Sequence, residues 1–253
     1  MRKKILLMND LPGYGRAALS TMMPLLSDKG YCIYNLPTAL VSNTFDFGKY
    51  SVLDTTDYMR SSMETWKMLG FSFDAVCVGY IVSDRQSELI REYCLKWATE
   101  GVSVWLDPVM ADNGRFYNGI GDGRVRLLRK MLPISDYIVP NYTEAALLAG
   151  RAYKREALTC KEAEELIDIL KDMGAKSVII TSADVNGEKA IIGYDNLTHN
   201  YFTHKYIQIK GNISGTGDVF LAALVGEALK GEELAKSVKI ASDAVKEWIL
   251  KPI

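Results

Sequence analysis

The chain has 253 residues, long enough for one large α/β domain or two small ones. Apolar residues make up 48% and charged residues 24%, the balance of a soluble globular protein. A formal net charge of -1 argues against nucleic-acid or membrane-surface binding. No run approaches the ~20 apolar residues of a membrane span, and Cys32, Cys77, Cys94 and Cys160, with no CxxC pair, read as reduced thiols of a cytoplasmic protein.

The opening MRKKILLMND is basic and then apolar, as a signal peptide is. The apolar run 5–8 is too short for one, and Asn9 and Asp10 follow at once, so it reads as a first strand. A helix is expected over 17–26, with Pro24 bending its end, and a second strand over 31–36. Met59, Met63, Trp66 and Leu69 at helical spacing predict a core-facing helix over 57–69. A buried strand at 75–79 leads to a helix over 83–99, and a strand at 102–106 ends in Asp107-Pro108. Helix 124–132 and strand 137–139 follow. Asn141 then caps a short helix over 143–149, and Thr159 with Glu162 forms a capping box for helix 161–173. After a strand at 178–181, segments 189–194 and 200–209 read as an antiparallel edge pair, and a last helix covers 232–250. Strand–helix alternation over most of the length predicts an α/β protein of three layers, α/β/α, with a central mostly parallel sheet. Nothing resembling a linker or repeat interrupts it, so one domain over 1–253 is expected. Such folds bind ligands at the carboxyl ends of the strands, where Asn9-Asp10, Gly79-Tyr80, Asp107, Asn141 and Thr181 fall.

Residues 211–220, GNISGTGDVF, organise the rest. A strand-like run at 206–209 precedes them and an apolar helical stretch, 219–229, follows. Gly215, Thr216, Gly217 and Asp218 therefore sit at a helix N-terminus, where free N–H groups and the helix dipole favour an anion. Bare glycines let an anion reach the backbone. A carboxylate beside such a cradle suits a base that takes a proton from an attacking hydroxyl. The plainer alternative is a tight turn with Asp218 favouring the positive helix end. Asp107 and Asp112, in DPVMAD, suit Mg²⁺ beside polyphosphate, or are solvated acids of an Asp-Pro turn. Glu144 reaches hydrated metal or serves its own helix. The segment GYGRAA at 13–18 fits a dinucleotide fingerprint, a weak match because no acid follows the second strand. His199 and His204, both in the edge pair, leave no histidine base or zinc site.

The ordered set GYGRAA, VSN at 41–43, Gly79-Tyr80, DPVMAD at 107–112, PNYTE at 140–144 and GTGD at 215–218 resembles the pyridoxal kinases, within the ribokinase-like superfamily, over nearly the whole chain. The resemblance implies that Asp218 is the catalytic base and that Gly215, Thr216 and Gly217 form the anion hole. It implies that Asp107, Asp112 and Glu144 surround Mg²⁺ and the ATP phosphates, with Val139, Thr181, Gly215 and Thr216 lining the nucleotide site. Asp10, Asp46 and Tyr80 would face the pyridine ring. ATP as co-substrate, Mg²⁺, K⁺ as an optional further cation, and a homodimer belong to the same expectation. Departures from the family pattern are Asp10 where serine is frequent, Thr44 and Phe45 in place of the usual His-Thr, and Ala111 for glycine. The chain also ends sooner after Asp218 than is usual, which would loosen the nucleotide site. An acid at position 10 favours an amine-bearing or protonated ring, so pyridoxamine or an aminopyrimidine enters as substrate. The expected function is ATP-dependent phosphorylation of the 5′-hydroxymethyl group of a B6 vitamer. Hydroxymethylpyrimidine kinase, a non-catalytic vitamer-binding protein and an oxidoreductase are the alternatives.

Overall fold

The computed structural model describes residues 2–209 and 214–250. In chain order the elements are β1 (Lys4–Pro12), α1 (Leu19–Asp28), β2 (Cys32–Val41), β3 (Val52–Asp54), α2 (Thr56–Met68), β4 (Ala75–Val78), α3 (Asp84–Thr99) and β5 (Ser103–Leu106). A small hairpin, β6 (Ala111–Asp112) and β7 (Arg115–Phe116), precedes α4 (Gly123–Arg129), β8 (Tyr137–Ile138), α5 (Tyr142–Ala149) and α6 (Cys160–Asp172). Then come β9 (Ser177–Val185), β10 (Glu188–Asp195), β11 (Asn200–Lys205), α7 (Thr216–Leu229) and α8 (Leu234–Leu250).

Among the described residues nine strands form one sheet in the order β11-β10-β9-β8-β5-β4-β1-β2-β3. The six central strands run parallel, and β3, β10 and β11 pair antiparallel at the two edges. This is the expected α/β/α architecture. Its cause is legible along β1, where Leu6 and Met8 enter one buried cluster and Ile5 and Leu7 the other. A strand that is apolar on both faces needs helices on both sides. On one face α2 to α6 supply Met59, Ile90, Leu128, Ala145 and Leu166. On the other, α1, α7 and α8 supply Met22, Leu224 and Val238. α7 is apolar all round because it lies between the sheet and the other two helices, with residues 219–227 buried throughout.

Several strands run beyond their apolar cores. β1 continues through Asn9 and Asp10 to Pro12 because Leu11 and Pro12 still pair with Leu40 and Val41 of β2. The strand expected at 206–209 is not one. β11 stops at Lys205, opposite Ala190, because β10 begins at Glu188 and offers almost no backbone beyond that pair. Past β11 the chain is irregular over 206–209, and residues 210–213, which include the start of the GNISGTGDVF segment, lie outside the described residues. The short strand β3 and the β6–β7 hairpin have no counterpart among the expected elements. No helix among the described residues is long and apolar enough to cross a membrane.

Candidate functional site

Strand order reverses at β1, which pairs with β2 on one side and β4 on the other. The crevice above such a switch point is where sheets of this kind receive ligands. It is organised by one side chain, Asn9. Its amide oxygen accepts the backbone N–H of Asp10 (3.0 Å) and of Tyr80 (2.8 Å), tying the ends of β1 and β4 together. Its amide nitrogen donates to Asp218 Oδ1 at 3.1 Å. Asn9 is 3% exposed, and a Cβ at Gly79 would overlap its amide, so the chain needs glycine there.

Asp218 lies in the first turn of α7 and is half-buried. Burial lifts its carboxyl to about 6, against the lowering effect of the Ala18 N–H, the Asn9 amide and its own N–H. α7 is capped by Gly215 at φ 88°, with no side-chain cap. A Cβ at Gly215 would strike the Arg16 carbonyl oxygen, because the 13–17 loop packs directly on this turn. The 13–17 loop is held in turn by Gly13 N–H to Val41 O (2.7 Å) and by the Tyr14 carbonyl accepting from Thr44 (3.1 Å). Thr216 is half-buried and Gly217 exposed, so the turn faces the crevice with little side chain over it.

Asp10 is 9% exposed. Burial first, and then the Asp218 charge, push its carboxyl up to about 7. Tyr80 is 5% exposed and packs on Phe45 (ring centroids 5.1 Å), which packs on Tyr50 (4.8 Å). The Arg124 guanidinium also lies over the Tyr80 ring, 5.2 Å from its centre. Asp10 and Tyr80 thus belong to one aromatic-walled end of the crevice. Asp46 sits apart. It is exposed on a turn of 3₁₀ helix, 45–47, and its carboxylate accepts the Ser214 hydroxyl.

On the β5 side, Asp107 Oδ2 lies 3.8 Å from where a Cβ of Gly217 would stand. Burial, then Glu144 and Asp218, hold its carboxyl well above the usual range, and among the described residues no hydrogen bond reaches it. Glu144 is 2% exposed and its oxygens are already engaged. Oε1 accepts Met110 N–H (3.0 Å) and Ala111 N–H (3.4 Å), and Oε2 accepts Asn141 N–H (2.9 Å). Asn141 returns the bond to Glu144 N–H at 3.0 Å, a complete capping box. Burial raises Glu144 to about 8 against those amides. Asp112, on β6, binds the backbone and side chain of Asn113. Thr181 bridges to Asn141 beside Val139, which is buried beneath.

Among the described residues, no three His, Cys, Asp or Glu side chains converge as a metal cage. The donor set nonetheless fits Mg²⁺, which keeps most of its waters and takes one or two carboxylates with substrate phosphates. Asp107 carries oxygens of that kind, whereas those of Asp112 accept from Asn113 and those of Glu144 are taken by backbone amides. Tyr117 is a site residue that the chain pattern did not announce. Burial and the charges of Glu144, Asp112, Asp107 and Asp218 all raise its phenol, so it stands among the acids. Its signal is its place after the β6–β7 hairpin, with N–H bonded to Met110 O at 3.0 Å. Asn9 carried a sequence signal, a polar residue closing an apolar strand, but nothing in the pattern gave its partners. At the opposite strand ends a hollow is lined by Ser103, Asp136 and Lys176, and there Lys176 is bonded to Asp136 at 2.6 Å.

Comparison with known proteins extends this picture. A family model described as phosphomethylpyrimidine kinase matches residues 31–253. The hydroxymethylpyrimidine/phosphomethylpyrimidine kinase of Aquifex aeolicus is 28% identical over 238 residues, 93% of this chain and 83% of that protein. The pyridoxal kinase of Dictyostelium discoideum is 30% identical over 135 residues, 49% of this chain and 43% of that protein. A candidate phosphomethylpyrimidine kinase of Bacteroides thetaiotaomicron, crystallised with pyridoxal, superposes with a TM-score of 0.90 at 32% identity, covering 96% of this chain and 86% of that one. Shared sequence along most of its length, on a ribokinase-like sheet, makes this chain a member of the phosphomethylpyrimidine kinase family, a kinase family that includes pyridoxal kinases among its relatives.

Proposed function

We propose that the protein phosphorylates the 5′-hydroxymethyl group of B6 vitamers with ATP, as one kinase unit over the whole chain. The observation that supports this most is the hold of Asn9 on Asp218 at the amino end of α7. It sets a carboxylate lifted to about 6 beside a glycine turn whose backbone is open to an anion. In this reading Asp218 takes the proton of the hydroxymethyl group, and the freed oxygen attacks the γ-phosphorus of ATP. The bond from that phosphorus to the β–γ bridging oxygen breaks, and ADP leaves. The amides of Gly215, Thr216 and Gly217 hold the phosphoryl charge, and Thr181 and Val139 border the nucleotide. Mg²⁺, held through water by Asp107, would neutralise phosphate charge. Glu144 supports that wall as a cap. Tyr80 and Phe45 receive the ring, Asp10 meets a polar substituent, and Asp46 closes the rim through Ser214.

The pyridoxal crystallised with the Bacteroides relative favours the vitamer. The family description and the Aquifex relative favour the second reading, hydroxymethylpyrimidine kinase, with the same chemistry on another ring. ADP release with Mg·ATP and each of pyridoxal, pyridoxamine, pyridoxine and hydroxymethylpyrimidine separates them. Higher kcat/KM for a vitamer is expected; a preference for the pyrimidine replaces the first reading with the second. Silence with all four leaves a binding protein.

A further inference from the structure

Asp10 is a buried acid to which none of the described residues except itself offers a donor. Its one nearby N–H, on its own backbone, is already given to Asn9 Oδ1. Buried carboxylates in folded proteins are matched by cations or donors, since a bare one is costly. Glu144, in the same site, has three backbone N–H groups. Asp10 follows Asn9, whose amide holds the N–H groups of Asp10 and Tyr80 and the carboxylate of Asp218, so it stands at the same strand ends as both. Arg124 lies over Tyr80, but its guanidinium bonds the Val82 carbonyl (3.2 Å) rather than Asp10. No other donor among the described residues meets the Asp10 carboxylate, so its oxygens are available to a ligand.

Its position narrows the chemistry. In the proposed pose Asp218 addresses the hydroxymethyl group at ring position 5, and Asp10, held through the same Asn9, meets the neighbouring substituent at position 4. Pyridoxamine carries an aminomethyl ammonium there, pyridoxine an alcohol of nearly the same size, and pyridoxal an aldehyde. An aminopyrimidine carries a neutral amino group at the same place. We infer that Asp10 is the specificity-determining residue of the site, selecting by charge a substrate with an ammonium beside the reacting hydroxymethyl group, so that pyridoxamine is preferred over pyridoxine. This rests on the B6-kinase reading above. The carboxyl of Asp10, held at about 7 when alone, would be drawn into its charged form by that ammonium.

The test is kcat/KM for pyridoxamine, pyridoxine and hydroxymethylpyrimidine with Mg·ATP, in the wild type and in Asp10→Ser and Asp10→Asn. A hydrogen bond to a charged group predicts a wild-type preference for pyridoxamine over pyridoxine of about ten- to a hundredfold. Both variants should bring that ratio close to one. A general loss of packing would lower both substrates together and leave the ratio in place. Vitamers turned over without a pyridoxamine preference, or a preference that survives both substitutions, overturn the inference while the B6 reading stands. Turnover of the pyrimidine alone overturns both. The wild-type ratio decides the matter even if a variant does not fold.

Discussion

Glu144 and Asp218 occupy the same local position, the third residue of a helix whose amino end points into the crevice. Their helices are capped in opposite ways. α5 begins with Asn141, whose side chain and backbone exchange bonds with Glu144, so donors and carboxylate satisfy one another. α7 begins with Gly215, which has no side chain to give, and Asp218 turns to Asn9 across the switch point. One acid is consumed in holding the fold. The other is left beside open backbone N–H groups, at a strand end where a substrate can reach it. A helix N-terminus with an acid in its first turn is thus satisfied within its own cap or turned to partners elsewhere in the fold according to the residue at the cap.

The comparison breaks most visibly at Asp218. Asp218→Asn keeps shape and the Asn9 contact but removes the proposed base, so turnover should fall by about 10²–10⁴ with substrate binding retained. Near-normal kcat in a steady-state assay would make Asp218 as structural as Glu144. Gly215→Ala comes next. The added Cβ meets the Arg16 carbonyl at a backbone angle that favours glycine, and about 1–3 kcal/mol of stability should be lost. Turnover should fall too, because relief of the clash moves the anion turn. Urea unfolding together with ADP release checks both, and unchanged values would mean that the 13–17 loop yields freely.

Glu144→Ala should act the other way round. It strands the N–H groups of Met110, Ala111 and Asn141 and breaks the reciprocal half of the α5 capping box, while the Asn141 cap itself remains, at a cost of about 2 kcal/mol. Activity per folded molecule should drop far less than in Asp218→Asn. Loss of turnover equal to that of Asp218→Asn, with unfolding midpoints unmoved, would return Glu144 to the metal.

These contrasts were unequally legible in the chain. Strand–helix alternation gave the layers because parallel strands buried on both faces cannot hide their composition. The box at Thr159 and Glu162 and the cap at Asn141 were legible because capping is local, complete within four residues. The tight turn at the head of α7 showed through its glycines. What Asn9 does was not legible, since its partners lie 71 and 209 residues away and no spacing encodes them. The strand expected at 206–209 failed because its apolar residues carried the right pattern while the neighbouring strand had run out. The partner of Asp46, expected only to face the ring, was hidden for a related reason, Ser214 being brought near by the fold alone.

The smallest effect separates the two kinds of acid by sign. Asp10, Asp218 and Glu144 are raised to about 7, 6 and 8. The native protein therefore keeps protons that the unfolded chain releases from about pH 4 upward. Where the native state binds more protons, stability falls as pH rises. Between pH 5 and pH 8 the ligand-free protein should lose about 1–2 kcal/mol, a discounted figure because protein interiors screen charge. Asp10→Asn removes a carboxylate without an outside donor, so it should flatten that slope and raise stability at pH 8. Glu144→Gln should also flatten it yet lower stability at both pH values, because an amide has one acceptor oxygen for three N–H groups. Urea midpoints at pH 5 and pH 8 read both variants. A fall at pH 8 in Asp10→Asn would show that this acid, like Glu144, has its partner within the fold.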